Sequence, residues 1–288
     1  MHKKKFLTLL LFLTACGNPD MKQKPLLIKF KLDEPVETLL SASTVNFDRD
    51  CNDKICFYDF DIPLQSSSKA TAVIESSQQP LIFDDVVSAV FSTIEDSNIT
   101  NAKIILGGVP SNSEHTKAID YFYQQLGNLK ATGWRRYIYP NEARIPGSEA
   151  RKFKDFDTVL EKPAVTGPWK DPALILSKEE WLSSPMLSDW YFYKDGVYLT
   201  FSFQRENTPD SKQELGSYLF TLSFRSETEF YKSFIDSDDR EHWKTLVPAE
   251  LRKMAKERAA AESLLKKSGI LIDENYQEPT ISTLEAEH

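Results

Sequence analysis

Trp190-Tyr191-Phe192-Tyr193-Lys194-Asp195-Gly196-Val197-Tyr198-Leu199-Thr200-Phe201-Ser202-Phe203-Gln204-Arg205 is the stretch that decides the fold. Val197, Leu199, Phe201 and Phe203 alternate with Tyr198, Thr200, Ser202 and Gln204. A period of two marks a strand with one apolar face. Lys194-Asp195-Gly196 is a tight-turn signal, so Asp189–Tyr193 and Val197–Arg205 read as the arms of a hairpin. After a polar loop, Tyr218, Phe220, Leu222 and Phe224 alternate in the same way. Three antiparallel strands sharing an apolar face need a cover. Ser226–Phe234 offers a short helix, and Pro248–Lys267 a long one of about 30 Å at 1.5 Å per residue. Leu251, Met254, Ala255, Ala261 and Leu265 line one side of the long helix. Arg258 interrupts that side, which predicts a stem lying along apolar surface and a charge turned to water. Pro248 suits the first helical position and Gly269 suits a C-terminal stop. Residues 187–272 therefore read as an antiparallel sheet plus a long helix. Residues 273–288, poor in apolar side chains, are expected to form a disordered tail.

Working upstream, residues 140–186 are punctuated by Pro140, Pro146, Pro163, Pro168, Pro172 and Pro185, which predicts a loop-rich connection. Its one helix is announced by the capping box Ser177-Lys178-Glu179-Glu180. Residues 26–139 read as an α+β region. Leu26–Leu32 alternates, with Ile28, Phe30 and Leu32 on one side and Lys29 and Lys31 on the other. Ile55–Phe60 and Ala70–Ile74 are further strand candidates. Val86, Val87, Val90, Phe91 and Ile94 recur at spacings of three and four, which predicts a helix over Asp84–Glu95. Lys103–Leu106 reads as a buried strand, Ser113–Leu129 as a helix and Trp134–Tyr139 as a strand, a βαβ spacing. The expected fold class is α+β, with mixed strands and two helices in the first half and an antiparallel sheet covered by helices in the second.

The first residues carry a different signal. Lys3-Lys4-Lys5, the apolar run Phe6–Leu13 and the small residues Thr14-Ala15 follow the order of an export segment, with an apolar run shorter than the roughly 20 residues that span a bilayer. Leu13-Thr14-Ala15-Cys16 resembles the lipobox of bacterial lipoproteins. That resemblance implies a signal peptide over residues 1–15, cleavage before Cys16, a lipidated Cys16 with palmitate-type acylation, and a polar tether over 16–25. Gly17-Asn18 lacks the Asp of an inner-membrane retention signal, which implies sorting to the periplasmic side of the outer membrane. With Cys16 taken by lipid, Cys51 and Cys56 remain as a pair, and an oxidising compartment lets them form a short-loop disulfide. Removal of residues 1–15 leaves 32 Lys+Arg against 43 Asp+Glu, or −11. Such acidity argues against a nucleic-acid partner and suits a basic protein partner or plain solubility.

Internal motifs for catalysis are missing: there is no GxSxG, HExxH, P-loop or GxGxxG. His115, beside Glu114, reads as a solvated surface pair, and His242 lacks a recognisable partner. No catalytic residue, metal site or cofactor is assigned. Asp48-Arg49-Asp50-Cys51-Asn52-Asp53 departs from the calcium-loop pattern at Asp53 and Asp59 and reads as a polar turn. Asp236-Ser237-Asp238-Asp239 reads as a charged turn. Gly133–Gly147 is the most distinctive internal stretch. Its Trp134, Arg135, Arg136 and Arg144 are the candidate partner-binding residues. Alternation puts Arg136 on the inward side, so it must either reach solvent at the strand end or meet a carboxylate.

The expectation for function is a lipid-anchored periplasmic protein acting by protein–protein interaction. In overall design it resembles immunity lipoproteins that neutralise secreted antibacterial effectors, such as those of type VI secretion. An envelope enzyme or ligand-binding lipoprotein acting on lipid or cell-wall material, and a structural subunit of an envelope complex, are the alternatives. An acidic pair in a deep cleft favours the enzyme or ligand-binding class. A flat, aromatic-rich face favours partner binding.

Overall fold

Alternation along the chain builds most of the molecule. The computed structural model describes residues 25–95 and 97–285. The signal peptide 1–15, the lipidation residue Cys16 and the tether up to residue 24 lie outside the described residues. In chain order the elements are β1 (Leu27–Phe30), α1 (Val36–Ala42), β2 (Asp48–Asn52), β3 (Ile55–Asp61), β4 (Ala70–Ile74), β5 (Leu81–Ile94), β6 (Ile99–Leu106), β7 (Ser113–Glu114), α2 (His115–Ala131) and β8 (Arg135–Arg136). They continue as β9 (Thr158–Val159), β10 (Lys162–Pro163), α3 (Lys178–Ser183), β11 (Leu187–Lys194), β12 (Val197–Asn207), β13 (Leu215–Ser226), α4 (Glu227–Lys232), α5 (Trp243–Lys267) and α6 (Ser282–Glu285). The fold class is α+β.

The strands of both halves join one eleven-stranded sheet in the order β1-β4-β5-β6-β13-β12-β11-β8. Among the described strands only β1 and β4 run parallel; the other pairs are antiparallel. The β11–β12 hairpin forms as its pattern dictates, with Asp195 and Gly196 at φ 48° and 73° in its turn. The long β5 carries β4 along its first half and β3 along its second. β2 pairs with β3, and Cys51 stands opposite Cys56, to which it is disulfide-bonded.

One face of this sheet carries the core. Phe201, Phe203, Phe220, Leu222, Phe224, Ile104 and Phe91 are all buried there. α2 lies across it because Ala118, Phe122, Leu126 and Leu129 form its buried stripe. The Phe122 ring stacks on Phe201 at 4.9 Å and lies 4.5 Å from Trp190 and 5.2 Å from Trp181. Burying each such ring contributes roughly 1.5–3 kcal/mol. Gly133, at φ 87°, closes α2: its N–H meets Lys130 O at 3.1 Å, and Trp134 N–H meets Leu129 O at 3.0 Å. This is the left-handed stop that glycine permits. β6, α2 and β8 do form a crossover between strands of the same direction, but β13, β12 and β11 lie between them. α3 starts with the expected capping box of Ser177 and Glu180.

Four expectations are corrected. Asp84–Glu95 is not a helix but most of β5. A slip in pairing against β6 at Val86/Ser88, and apolar side chains on both faces, with Val86 and Phe91 in the core and Val90 in the groove opposite, give the spacings of three and four that imitate a helix. The strand expected over Trp134–Tyr139 pairs only at Arg135–Arg136. α5 begins at Trp243, so Pro248 sits inside it and supplies no N–H to the preceding turn. Residues 273–285 are not disordered. Tyr276 Oη accepts Ile138 N–H at 2.9 Å, and Tyr193 Oη donates to Gln277 O at 3.0 Å. A segment held by polar bonds leaves no hydrophobic period to read.

Candidate functional site

Strand alternation that buries one face exposes the other. Register places Asp50, Phe57, Ser92, Asn101, Arg225 and Tyr198 in one row across six strands. The next row runs Asp48, Asp59, Val90, Lys103, Ser223 and Thr200. Among the described residues, helical cover reaches only the β11–β12 side. There Tyr198 stacks on Phe230 of α4 at 3.8 Å, and its hydroxyl donates to Tyr231 Oη at 2.8 Å. Val247 of α5 joins the same cluster. Toward β3 the face is bare: Phe57 is 38 % exposed, and Lys103 and Arg225 are exposed. A shallow 230 Å³ groove runs among Phe57, Val90, Lys103 and Arg225.

The β2–β3 edge of this face is acidic, carrying Asp48, Asp50, Asp59 and Asp61. Asp48 lies directly opposite Asp59. Burial, and then the charges of Asp61, Asp48 and Asp50, hold Asp59 above the usual carboxylate range. The carboxylates thus repel one another across the two strands. The stretch Asp48–Asp53 is a hairpin arm whose side chains alternate between faces, so its oxygens do not converge. Among the described residues no three His, Cys, Asp or Glu side chains are arranged to hold a metal ion.

The candidate residues of 133–147 do not form one surface. Trp134 packs in the core, 5.9 Å from Phe224. Arg135 is exposed. Arg136 turns inward and meets a carboxylate, Asp171, at 2.9 Å; it also donates to the carbonyls of Ile145, Thr166 and Gly167 at 2.9–3.0 Å. Burial pulls its pKa below the arginine norm, and Asp171 opposes that pull. Arg144 holds Glu262 of α5 through two bonds of 2.8 Å. Arg258 is only 8 % exposed. Its guanidinium is turned into the protein, contrary to expectation, donating to Glu142 O at 2.8 Å and Tyr139 O at 2.7 Å and pairing with Glu278. Three arginines therefore staple the loop-rich connection alongside its buried apolar residues, among them Ile145, Trp169 and Leu176.

His115 is likewise not a surface group: it is fully buried, between Tyr218 Oη at 2.7 Å and Lys212 O at 2.9 Å. His242 is exposed in the turn before α5. Asp236–Asp239 leads into that turn.

A second feature gave no sequence signal. A cleft of 580 Å³ opens where the ends of β1 and β4 face the β11–β12 turn and the start of α4. Lys194 is buried in its wall, donating to Thr132 O at 2.7 Å and Ser76 Oγ at 2.9 Å. Glu227 is 2 % exposed. Only the fold brings residues 31–34, 194–197, 227 and 282–283 together.

Comparison with protein-family models, curated proteins and solved structures finds no match. No helix among the described residues is long and apolar enough to cross a membrane.

Proposed function

We propose that this chain is a lipid-anchored envelope protein that works by binding a basic protein partner on the bare face of its sheet. The observation that carries the reading is that face: a flat expanse around exposed Phe57, bounded by the aspartates of β2 and β3. An aromatic anchor with a charged rim suits a protein interface. Within this class the overall design supports an immunity lipoprotein that neutralises a secreted antibacterial effector. Cys16 supplies the anchor through its lipid, holding the sheet at the outer membrane's periplasmic side.

Two measurements test this. Cys16→Ser is expected to move the chain from the membrane pellet to the soluble envelope fraction and to abolish labelling by palmitate. Capture from a mixture of secreted effectors is expected to retain one, and a deletion strain is expected to lose survival beside an effector-delivering competitor. Unaltered fractionation, or no retained effector with unchanged survival, rejects the reading. A ligand-binding or enzymatic role in the envelope is the second reading, favoured by the acidic cleft beside the β11–β12 turn.

A further inference from the structure

We propose that the 580 Å³ cleft receives one cationic head, an alkylammonium or guanidinium group, with the Glu227 carboxylate as its counter-charge. The inference stands apart from the bare sheet face and gives the second reading a ligand class.

Glu227 begins α4 directly after its N-cap residue Ser226. One carboxylate oxygen is fully used: Oε1 accepts from Ser282 Oγ at 3.0 Å, Thr283 N–H at 2.7 Å and Thr283 Oγ1 at 2.8 Å. The other oxygen, Oε2, is buried without a hydrogen-bond partner among the described residues. Buried polar atoms are ordinarily bonded, and an orphan costs about 1–3 kcal/mol or more when charged. An ionised carboxylate only accepts, so the missing partner is a donor.

The surroundings choose the charge of that donor. Five carboxylates (Asp33, Glu34, Glu75, Asp195 and Glu227) line the cleft against two lysines. Both lysines are already engaged. Lys31 pairs with Glu34 at 2.7 Å, and the hydrogen-bond donors of Lys194 are directed to the neutral acceptors Thr132 O, Ser76 Oγ and Gln79 O. Glu75 is paired with Lys29 at 2.9 Å, and Asp195 accepts from Ser77 Oγ at 2.6 Å. Asp33 has the Ser226 side chain as its hydrogen-bond partner and no paired cation, and the orphan oxygen of Glu227 has neither. Burial of its carboxyl, and then the charges of Glu227 and Glu229, push Asp33 upward, while Ser226 opposes them. A cation between Asp33 and Glu227 lowers that mutual repulsion, whereas an anion raises it.

Access and shape agree. Gly196 forms part of the wall, and a Cβ there would stand 3.7 Å from Glu227 Oε2. With glycine at 196, no side chain from that position packs against Oε2. Leu81, Trp134 and Val197 also line the cleft and give an alkyl stem apolar surface to lie on. The volume falls within the range of small-molecule sites, about 300–1,000 Å³.

The test is calorimetric titration of the full-length protein in detergent. The probes are n-butylammonium chloride, methylguanidinium chloride and an end-blocked Gly-Gly-Lys-Gly-Gly peptide, with n-butanol as the neutral control. The expected result is saturable binding of at least one cation and none of n-butanol. Glu227→Gln should weaken that binding about tenfold or more, a loss of about 1.4 kcal/mol. Asp33→Asn should weaken it several-fold and still fold, because Asn tolerates the φ of 61° at this position. If Glu227→Gln does not fold, Asp33→Asn alone decides. Binding of the small cations identifies a free amine or guanidine as the source, and binding of the peptide alone identifies a protein side chain. No saturable binding of any cation, or equal binding in the folded variants, overturns the proposal.

Discussion

At the scale of single residues, His115 is the group whose surroundings dictate a charge state. Its Nε2 faces the Lys212 carbonyl at 2.9 Å, which only accepts, so Nε2 carries the proton. Nδ1 then accepts from Tyr218 Oη at 2.7 Å, and Tyr218 in turn accepts from Trp181 Nε1 at 2.9 Å. Every member is satisfied only with neutral imidazole. Burial holds the pKa of His115 below its ordinary value, with Arg205 and Lys178 adding to the effect and the Lys212 carbonyl and Glu214 opposing it. The sign follows from proton counting. Above about pH 6.5 neither state binds the proton. Below it the unfolded chain takes one up while the folded chain resists, so this contribution to stability falls with pH until the folded pKa is reached. The difference cannot exceed about 1.4 kcal/mol per pH unit, the limit for one proton. Urea midpoints of wild type and His115→Gln, taken from pH 7.5 down to 4.5, should show a shallower fall in the variant. Parallel curves would remove His115 from the acid sensitivity. None of this was legible in the sequence, because Glu114-His115 at a helix start looks solvated. Lys212, Gly216 and Tyr218, all distant in sequence, close over the ring. Arg258 is different: its break in the apolar stripe of α5 was visible, but its carbonyl partners at 138–142 were not.

At the scale of elements, strands with one period along their length were legible, and strands that change period were not. β12 and β13 alternate through Val197–Arg205 and Tyr218–Phe224, and those stretches were read as strands, although β12 runs on to Asn207 and β13 spans Leu215–Ser226. β5 alternates, slips where it meets β4 and β6, and alternates again, so a window across the slips sees spacings of three. Its Val-Val and Val-Phe pairs carried the β-preference that should have weighed against a helix. The β2–β3 hairpin makes a separate prediction. Its disulfide joins directly opposed residues and closes a loop with a sequence separation of 5. In the chain-entropy account a loop this short contributes about 2 kcal/mol. β2 is exposed along its whole length and pairs only with β3. Cys51→Ser/Cys56→Ser is therefore expected to speed amide exchange at Asn52 and Ile55 while leaving β12 and β13 protected. A global loss of protection would place the bridge in the folding core instead.

At the scale of the whole molecule, the sequence announced two halves and the structure joins them through β6 and β13 into one sheet. Pairing between residues 99–106 and 215–226 is beyond local pattern, since either strand would accept any apolar neighbour of matching length. The same pairing creates the bare face, because α2 and α3 gather on the core side while α4 and α5 reach only the β11–β12 end. On the proposed reading, partner binding and stability are set against each other there. Asp48 and Asp59 stand directly opposite on β2 and β3, and like charges so placed destabilise a sheet, by up to about 0.5 kcal/mol for an exposed pair. If the acidic edge serves only solubility, neutralising one member improves the fold at no cost. If it receives a basic partner, the same change should improve the fold and weaken capture, and more so at low salt, where charge guides association. Asp48→Asn is expected to keep or slightly raise the urea midpoint, and Asp48→Lys/Asp50→Lys to lower recovery of the retained effector at least tenfold. Recovery by the double variant equal to that by wild type, at low salt and with an intact fold, would place the interface elsewhere on the molecule.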